Sequence, residues 1–427
     1  MRMTPPPPGA AVDLSMVDLA DPGLYGDGDP HWIWQAMRDR DPVRWQPLGG
    51  TGFWSVTTHA DANQVLRDAR TFTSERGTLL SLLGVNDPAG GCQMAVTDPP
   101  RHTAMRSPLQ RAMTGASLER HTGTVRAEVR RLLEPALDGA EMDFAAATMA
   151  LSTGVAGTLM GLSPDDWPYL TRLMTMAIAP DDPDFQLPGG SRATLERSHR
   201  ELFGYLQDVA RSRQRTPGDD LISLFFQIRV DDAPLSAGAV ASNCYSLLLG
   251  ASVTTPHVPS ATLLELIDGG GYEEWAAHPE HLSSGIEEAL RWSTPASHFL
   301  RYATRDVEVG GKTIRSGEAV VVWLGSANRD ASVFSDPFRF DVRRTPNRHI
   351  AFGVGPHHCV GHAAARLTLH LLFGEIFRRF EGWELAGSVR HLRSNFIAGI
   401  ARLPVRAHLR PAVLPAWAEL APAGCPA

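Results

Sequence analysis

The 427-residue sequence has no apolar run of the roughly 18 residues that a membrane helix needs. Its opening, MRMTPPPPGAAVDLSMV, has no apolar signal segment, so the sequence predicts a cytoplasmic protein with no membrane span. Paired cysteines are also missing. Cys92, Cys244, Cys359 and Cys425 lie far apart, which argues against a disulfide framework and for a reducing compartment. Excess positive charge is lacking: the formal net charge is −7, so no global electrostatic footprint for nucleic acid or an acidic membrane exists. No internal repeat and no linker between two cores is visible. What is present is 43% hydrophobic residues, enough at this length to bury about three quarters of the unfolded surface.

The proline-rich start predicts a disordered arm over 1–14, and the last residues, 411–427, read as a loose tail. Between them, 15–410 reads as one mostly helical domain with small β-sheets. HWIWQAMRDRD and HADANQVLRDA predict short helices, with VRWQPL and GFWSVTT as a hairpin between them. Residues 79–96 read as a long loop, a kind that is usually functional or mobile. Helical periodicity dominates from 99 to 268. RYATRDVEVGGKTI and EAVVVWLGSANRD predict strands, a helix is expected from near Val360 to about Phe380, and SNFIAGIARLPVRAHL reads as a last hairpin.

The chemistry concentrates in AFGVGPHHCVGHAAARL, residues 351–367. A lone cysteine is ordinarily a small buried hydrophobe. A zinc site with His357, His358 and His362 is disfavoured, because adjacent positions close a tetrahedron poorly and no second CxxC-type pair exists. Covalent haem attachment needs two cysteines before a histidine, and CVGH has one. A nucleotide loop fails because GVGPHH lacks the third glycine of GxGxxG.

Phe352, Gly353, Gly355, His357, Cys359 and Gly361 spell F-G-x-G-x-H-x-C-x-G, and this loop resembles the haem-binding loop of the cytochromes P450. The physics agrees with the match. Gly353 and Gly355 can take positive φ and bring backbone close to a flat macrocycle. Cys359 would sit at a helix start, which favours its thiolate, and thiolate ligation of haem iron favours O–O cleavage. Phe352 would cover the sulfur. Further segments fit in order. Glu288 and Arg291, one turn apart, make an ordinary i,i+3 pair when taken alone; the resemblance implies a buried structural clamp completed by Arg339. His102 and Arg106, four apart after DPP, share a helical face, and with Arg301 and His357 they match the residues that hold the haem propionates. The resemblance extends from about DPVRW to IARLPVRAHL and implies iron protoporphyrin IX (haem b) as cofactor.

The sequence departs from the P450 pattern at the oxygen site. A long central helix is expected, capped by Ser236 and ending before Gly269. Where the family usually carries A/G-G-x-D/E-T, this chain has Gly250, Ala251, Ser252, Val253, Thr254. The alcohol, Thr254, is present; the acid is replaced by Val253. Ser252 and Thr255 are the other candidate catalytic hydroxyls, with His257 as a further polar group. Pro256 and Pro259 each remove a backbone donor and predict a kink.

The family pattern implies a substrate pocket lined by Leu82, Leu83, Met94, Leu248, Val253, Phe299 and Phe396, with His298 and Asn395 as polar anchors. A mostly apolar pocket suits a medium-sized organic molecule. No electron-carrying segment is fused to the chain, so a ferredoxin with its reductase is the implied donor, docking on a basic patch from Arg101, Arg111 and Arg366. The implied activity is a haem-thiolate monooxygenase of natural-product tailoring, giving hydroxylation, epoxidation or ring closure. The missing acid raises two alternatives, oxidative coupling and peroxide-driven oxidation. A haem-binding sensor without turnover is the distant alternative.

Overall fold

A computed structural model describes residues 12–411. Most of the expected N-terminal arm lies outside this range, although Leu14 already begins a 3-10 turn, Leu14–Met16. The expected tail lies outside it from 412 onward. Among the described residues no helix is long and apolar enough to cross a membrane.

Helices dominate, as the periodicity predicts, and they start and stop where local chemistry dictates. Thr58 caps His59–Arg67 by accepting the Asp61 N–H at 3.2 Å. Asp143 caps Phe144–Met160, which ends at Gly161 with φ +66°. Ser236 caps the central helix as expected, accepting the Ala239 N–H at 3.2 Å. In one of the apolar clusters Trp275, from the helix Tyr272–Ala277, packs on Phe373 and Phe377, both from the helix His362–Arg379. Each such side chain contributes roughly 1.5–3 kcal/mol on burial.

Beside the helices lies a five-stranded sheet in the order Val43–Leu48, Thr51–Val56, Ala319–Trp323, His298–Ala303, Phe72–Thr73. The predicted first hairpin pairs Val43 with Val56 through Leu48 with Thr51. The strand Ala319–Trp323 is buried on both faces, and its run of AVVVW reflects that.

Two expectations fail. The central helix is not one kinked rod: it ends at Ser252, restarts at His257, and 253–256 form a turn. Pro256 supplies no N–H to the Ser252 carbonyl, and the chain recovers with tighter bonds, His257 N–H to the Thr254 carbonyl and Val258 N–H to the Thr255 carbonyl, both 3.2 Å. The last segment is not a hairpin. Ile400–Arg402 pairs with Arg390–His391, and Pro404–Leu409 pairs with Phe380–Leu385 and Met142–Asp143. Ile400–Arg402 pairs with the strand just before it, whereas Pro404–Leu409 reaches partners farther off in sequence.

Candidate active site

The cysteine loop is shaped by its glycines. Gly353 and Gly355 have φ of +68° and +74°. At Gly355 a Cβ would stand 2.6 Å from the Leu66 carbonyl oxygen and 2.8 Å from Arg67 Cα, so the loop seats on the end of the helix His59–Arg67 at a distance only glycine permits. The Cys359 N–H donates to the Phe352 carbonyl at 2.8 Å and closes the loop. The helix begins at His362, with Gly361 as its N-cap, so Cys359 stands just outside it. Burial pushes the thiol pKa up, while the Gly361 N–H and the charges of Arg106 and Arg366 pull it down. The helix start alone does not outweigh burial. Phe352 is half-buried, with the Arg366 guanidinium 4.7 Å from its ring centroid.

Next to the loop sits a cluster of polar groups. His102 lies on the helix Arg101–Ala112, 2% exposed, and neither ring nitrogen has a hydrogen-bond partner. Its ring centroid is 4.3 Å from that of His357. His357 Nε2 is 3.2 Å from Ser74 Oγ. Arg301 projects from the strand His298–Ala303, is 4% exposed, and donates to the Leu300 carbonyl at 2.8 Å. Arg106 donates to the His358 carbonyl. Burial, then the Arg106 charge, lowers the His102 pKa to about 4. Burial, with Arg301 next, drives His357 far down. Burial lowers Arg301 to about 10, partly offset by Asp98. The four residues called from the sequence therefore come together as two guanidiniums and two neutral imidazoles, with no carboxylate among the four and Asp98 as a nearby anion. A ligand bearing carboxylates would satisfy it.

The helix break carries the candidate hydroxyls. Thr254 is half-buried, and its Oγ1 donates to the Gly250 carbonyl at 2.6 Å. Ser252 points elsewhere: it is 4% exposed, its Oγ has no partner, and it lines a small cavity with Val253 and His257. Thr255 is half-buried. His257 is 3% exposed, and its Nδ1 accepts the Ile400 N–H at 3.3 Å.

One pocket assignment needs correction. His298 is not a free polar anchor: its Nε2 accepts the Leu80 N–H at 3.1 Å, and Nδ1 is 3.2 Å from the Asn395 carbonyl. Asn395 Nδ2 donates to the Ala20 carbonyl at 2.7 Å. Both hold backbone segments in place. Phe299 and Phe396 meet edge-on, 6.3 Å apart. Leu248 and Val253 are buried in one apolar cluster, with Met94 and Phe396 packed against it, whereas Leu83 packs into a different cluster around Trp34 and Trp323. Leu82 is half-buried beside Gly77.

The clamp is also rearranged. Arg291 grips Glu288 with two bonds of 2.7 Å, both residues fully buried. Arg339 contributes only its carbonyl, accepting from Arg291 at 3.2 Å, and its side chain is exposed. The third charged partner is Arg344, whose Nε lies 3.2 and 3.1 Å from the two Glu288 oxygens. Sequence reasoning missed Arg344, and also Ser74 and Asp98 beside the polar cluster. Arg344 and Ser74 have no short-range spacing to their partners, and Asp98, though four residues before His102, also faces Arg301 far along the chain. Of the expected basic patch, Arg366 is occupied by Glu287 at 2.6 and 2.7 Å, and Arg101 lies 3.4 Å from Asp231.

The Cytochrome P450 family model matches residues 278–409, the span that holds the clamp and the cysteine loop. Nearly the full chain is similar to cytochrome P450 NovI of Streptomyces niveus, 34% identical over 95% of this chain and 99% of that one. The chain belongs to the cytochrome P450 family. This P450 is similar also to linalool 8-monooxygenase of Pseudomonas putida, at 33% identity over 91% of this chain and 98% of that one. Among solved structures it superposes on P450 OxyD, involved in the biosynthesis of vancomycin-type antibiotics, with a TM-score of 0.82 and 32% identity over 92% of this chain and 100% of that one. The P450 is thus an oxidoreductase of the monooxygenase family, and the family implies haem. The residues present fit that group: a half-buried thiol beside close-approaching backbone, and a neighbouring cluster rich in guanidinium and imidazole groups.

Proposed function

We propose that residues 15–410 form a single catalytic domain in which Cys359 Sγ would ligate the iron of haem b, with Phe352, Gly353 and Gly361 shaping the loop around it. His102, Arg106, Arg301 and His357 hold the two propionates. The observation that carries this reading is the pair of unpartnered nitrogens on buried His102, set against His357 and close to two buried or half-buried guanidiniums. Two carboxylates placed there accept from the two guanidiniums and from the one ring N–H of neutral His102.

Bound there, haem supplies activation of dioxygen, with two electrons and two protons, for oxidation of a medium-sized organic substrate. The chain's own residues do the rest. Thr254 Oγ1 donates to the Gly250 carbonyl and so keeps its lone pairs free to accept from a water or a ligand. Val253 contributes no carboxylate, so proton transfer at the break falls to hydroxyls and water, with Ser252 and Thr255 as the nearby alcohols. Phe299, Phe396, Met94 and Leu248 exclude water from the substrate side. His298 ties the 79–97 loop to the 395–399 segment and positions both walls.

Electrons come from a ferredoxin and its reductase in the cytoplasm, and exposed Arg101 and Arg111 steer the acidic donor. The reaction is hydroxylation, epoxidation or ring closure in secondary metabolism. One observation favours a second reading, oxidative coupling or peroxide-driven oxidation: the broken helix offers an apolar Val253 where a proton-relaying acid is expected.

The test uses haem-loaded enzyme, ferredoxin, reductase and NADPH under labelled dioxygen, with compounds selected by spin-state change. Product carrying one labelled oxygen supports the monooxygenase. Product without label supports coupling. Activity with peroxide but none with the electron-transfer chain refutes the ferredoxin-driven route.

A further inference from the structure

The helix break encloses a cavity of about 10 Å³, lined by Ser252, Val253, His257, Thr175 and Ile400 among others. That is the room one water molecule needs, and a buried water also needs two to four polar partners. The break supplies them. Ser252 Oγ is buried without a partner. The Ser252 carbonyl faces Pro256 four residues on, which has no N–H to offer. The His257 tautomer is fixed by the strand: Nδ1 accepts the Ile400 N–H, so Nε2 carries the ring proton. Burial lowers the His257 pKa to about 4, so the ring is neutral near pH 7. Gly399 lets the strand approach, because a Cβ there would stand 2.8 Å from His257 Cε1 and Nε2.

We propose that this cavity is a single-water site, held by Ser252 and His257, and that its water occupies the space an acidic side chain at position 253 would fill. Val253 lines the same cavity, so the missing carboxylate and the water compete for one volume. Ser252 and His257 are positioning residues for that water, not groups that touch substrate. The water repairs the broken hydrogen-bond ladder and gives the turn 253–256 an exchangeable donor. Its link to proton supply rests on the oxygenase reading; the site itself does not.

High-resolution crystallography of the full haem-loaded chain tests the site. The wild type should show one ordered water within hydrogen-bond distance of Ser252 Oγ and His257 Nε2. Val253→Asp should displace it, with the carboxylate oxygen taking its place between the same two groups. Ser252→Val should leave the cavity dry. An empty cavity in the wild type overturns the proposal, as does a water that persists unmoved in Ser252→Val. A folded Val253→Asp that leaves the water in place overturns the claim of shared space. The carbon monoxide spectrum of the same crystals or of the protein in solution reports the haem–thiolate reading separately, so either conclusion can fail without the other.

Discussion

Replacing Arg344 by alanine should destabilise the protein far more than replacing Arg339. Arg344 is 9% exposed in its side chain and meets both oxygens of Glu288, which is itself fully buried. It also donates to the carbonyls of Ser335 at 2.7 Å, Asp336 at 3.3 Å and Arg339 at 3.1 Å. Its loss leaves Glu288 held by Arg291, the Asp341 N–H and Asn347, with half of its compensating positive charge removed. Breaking a buried pair from one side costs about 3–5 kcal/mol. Arg339 offers only a backbone carbonyl to the clamp, which alanine keeps, so Arg339→Ala should fall within about 0.5 kcal/mol of wild type. Urea unfolding followed by circular dichroism, with haem retention read on gel filtration, compares the two. Equal losses for both variants, or a larger loss for Arg339→Ala, would refute the assignment of the third clamp residue.

Buried His257 and His298 both have their pKa lowered to about 4 by burial, against 6.5 unfolded. The unfolded chain therefore binds more protons between those values, and stability should fall as pH drops from about 6.5 toward 4, by up to about 3 kcal/mol per histidine. Denaturation midpoints that stay flat across that window would contradict their burial as neutral rings. His298→Leu strands the buried Leu80 N–H at a cost of about 1–3 kcal/mol and should speed limited proteolysis within 79–97; an unchanged cleavage rate would show that the bridge does not hold the loop. Pro256→Ala restores a backbone donor to the Ser252 carbonyl and should change the fraction of electrons that reach product. Identical coupling and product profile would show that the break has no part in the reaction.

The cysteine loop was legible because its requirements are local: positive φ at Gly353 and Gly355, and a thiol at a fixed offset. Glu288–Arg291 was legible for the same reason, as was the cap at Ser236. The central helix was legible in extent but not in continuity, because two prolines three residues apart permit either a kink or a break, and packing decides. Arg344 was hidden because its partner lies 56 residues away. His298 was misread as a free pocket anchor because its partners are backbone atoms, of Leu80 and Asn395, which residue identity does not announce. The strands of the last segment were misread because they pair outside that segment, with Arg390–His391 and with Phe380–Leu385.

Ligation of iron by one sulfur carries the rest of the account, and the absorbance spectrum of the dithionite-reduced, carbon monoxide-treated protein addresses it most directly. Wild type should give the red-shifted Soret band of a thiolate-bound haem, and Cys359→Ser should lose it while keeping the same fold by circular dichroism. A Cys359→Ser protein with an unaltered band, or a wild type that takes up haem without ever showing it, would contradict the assignment.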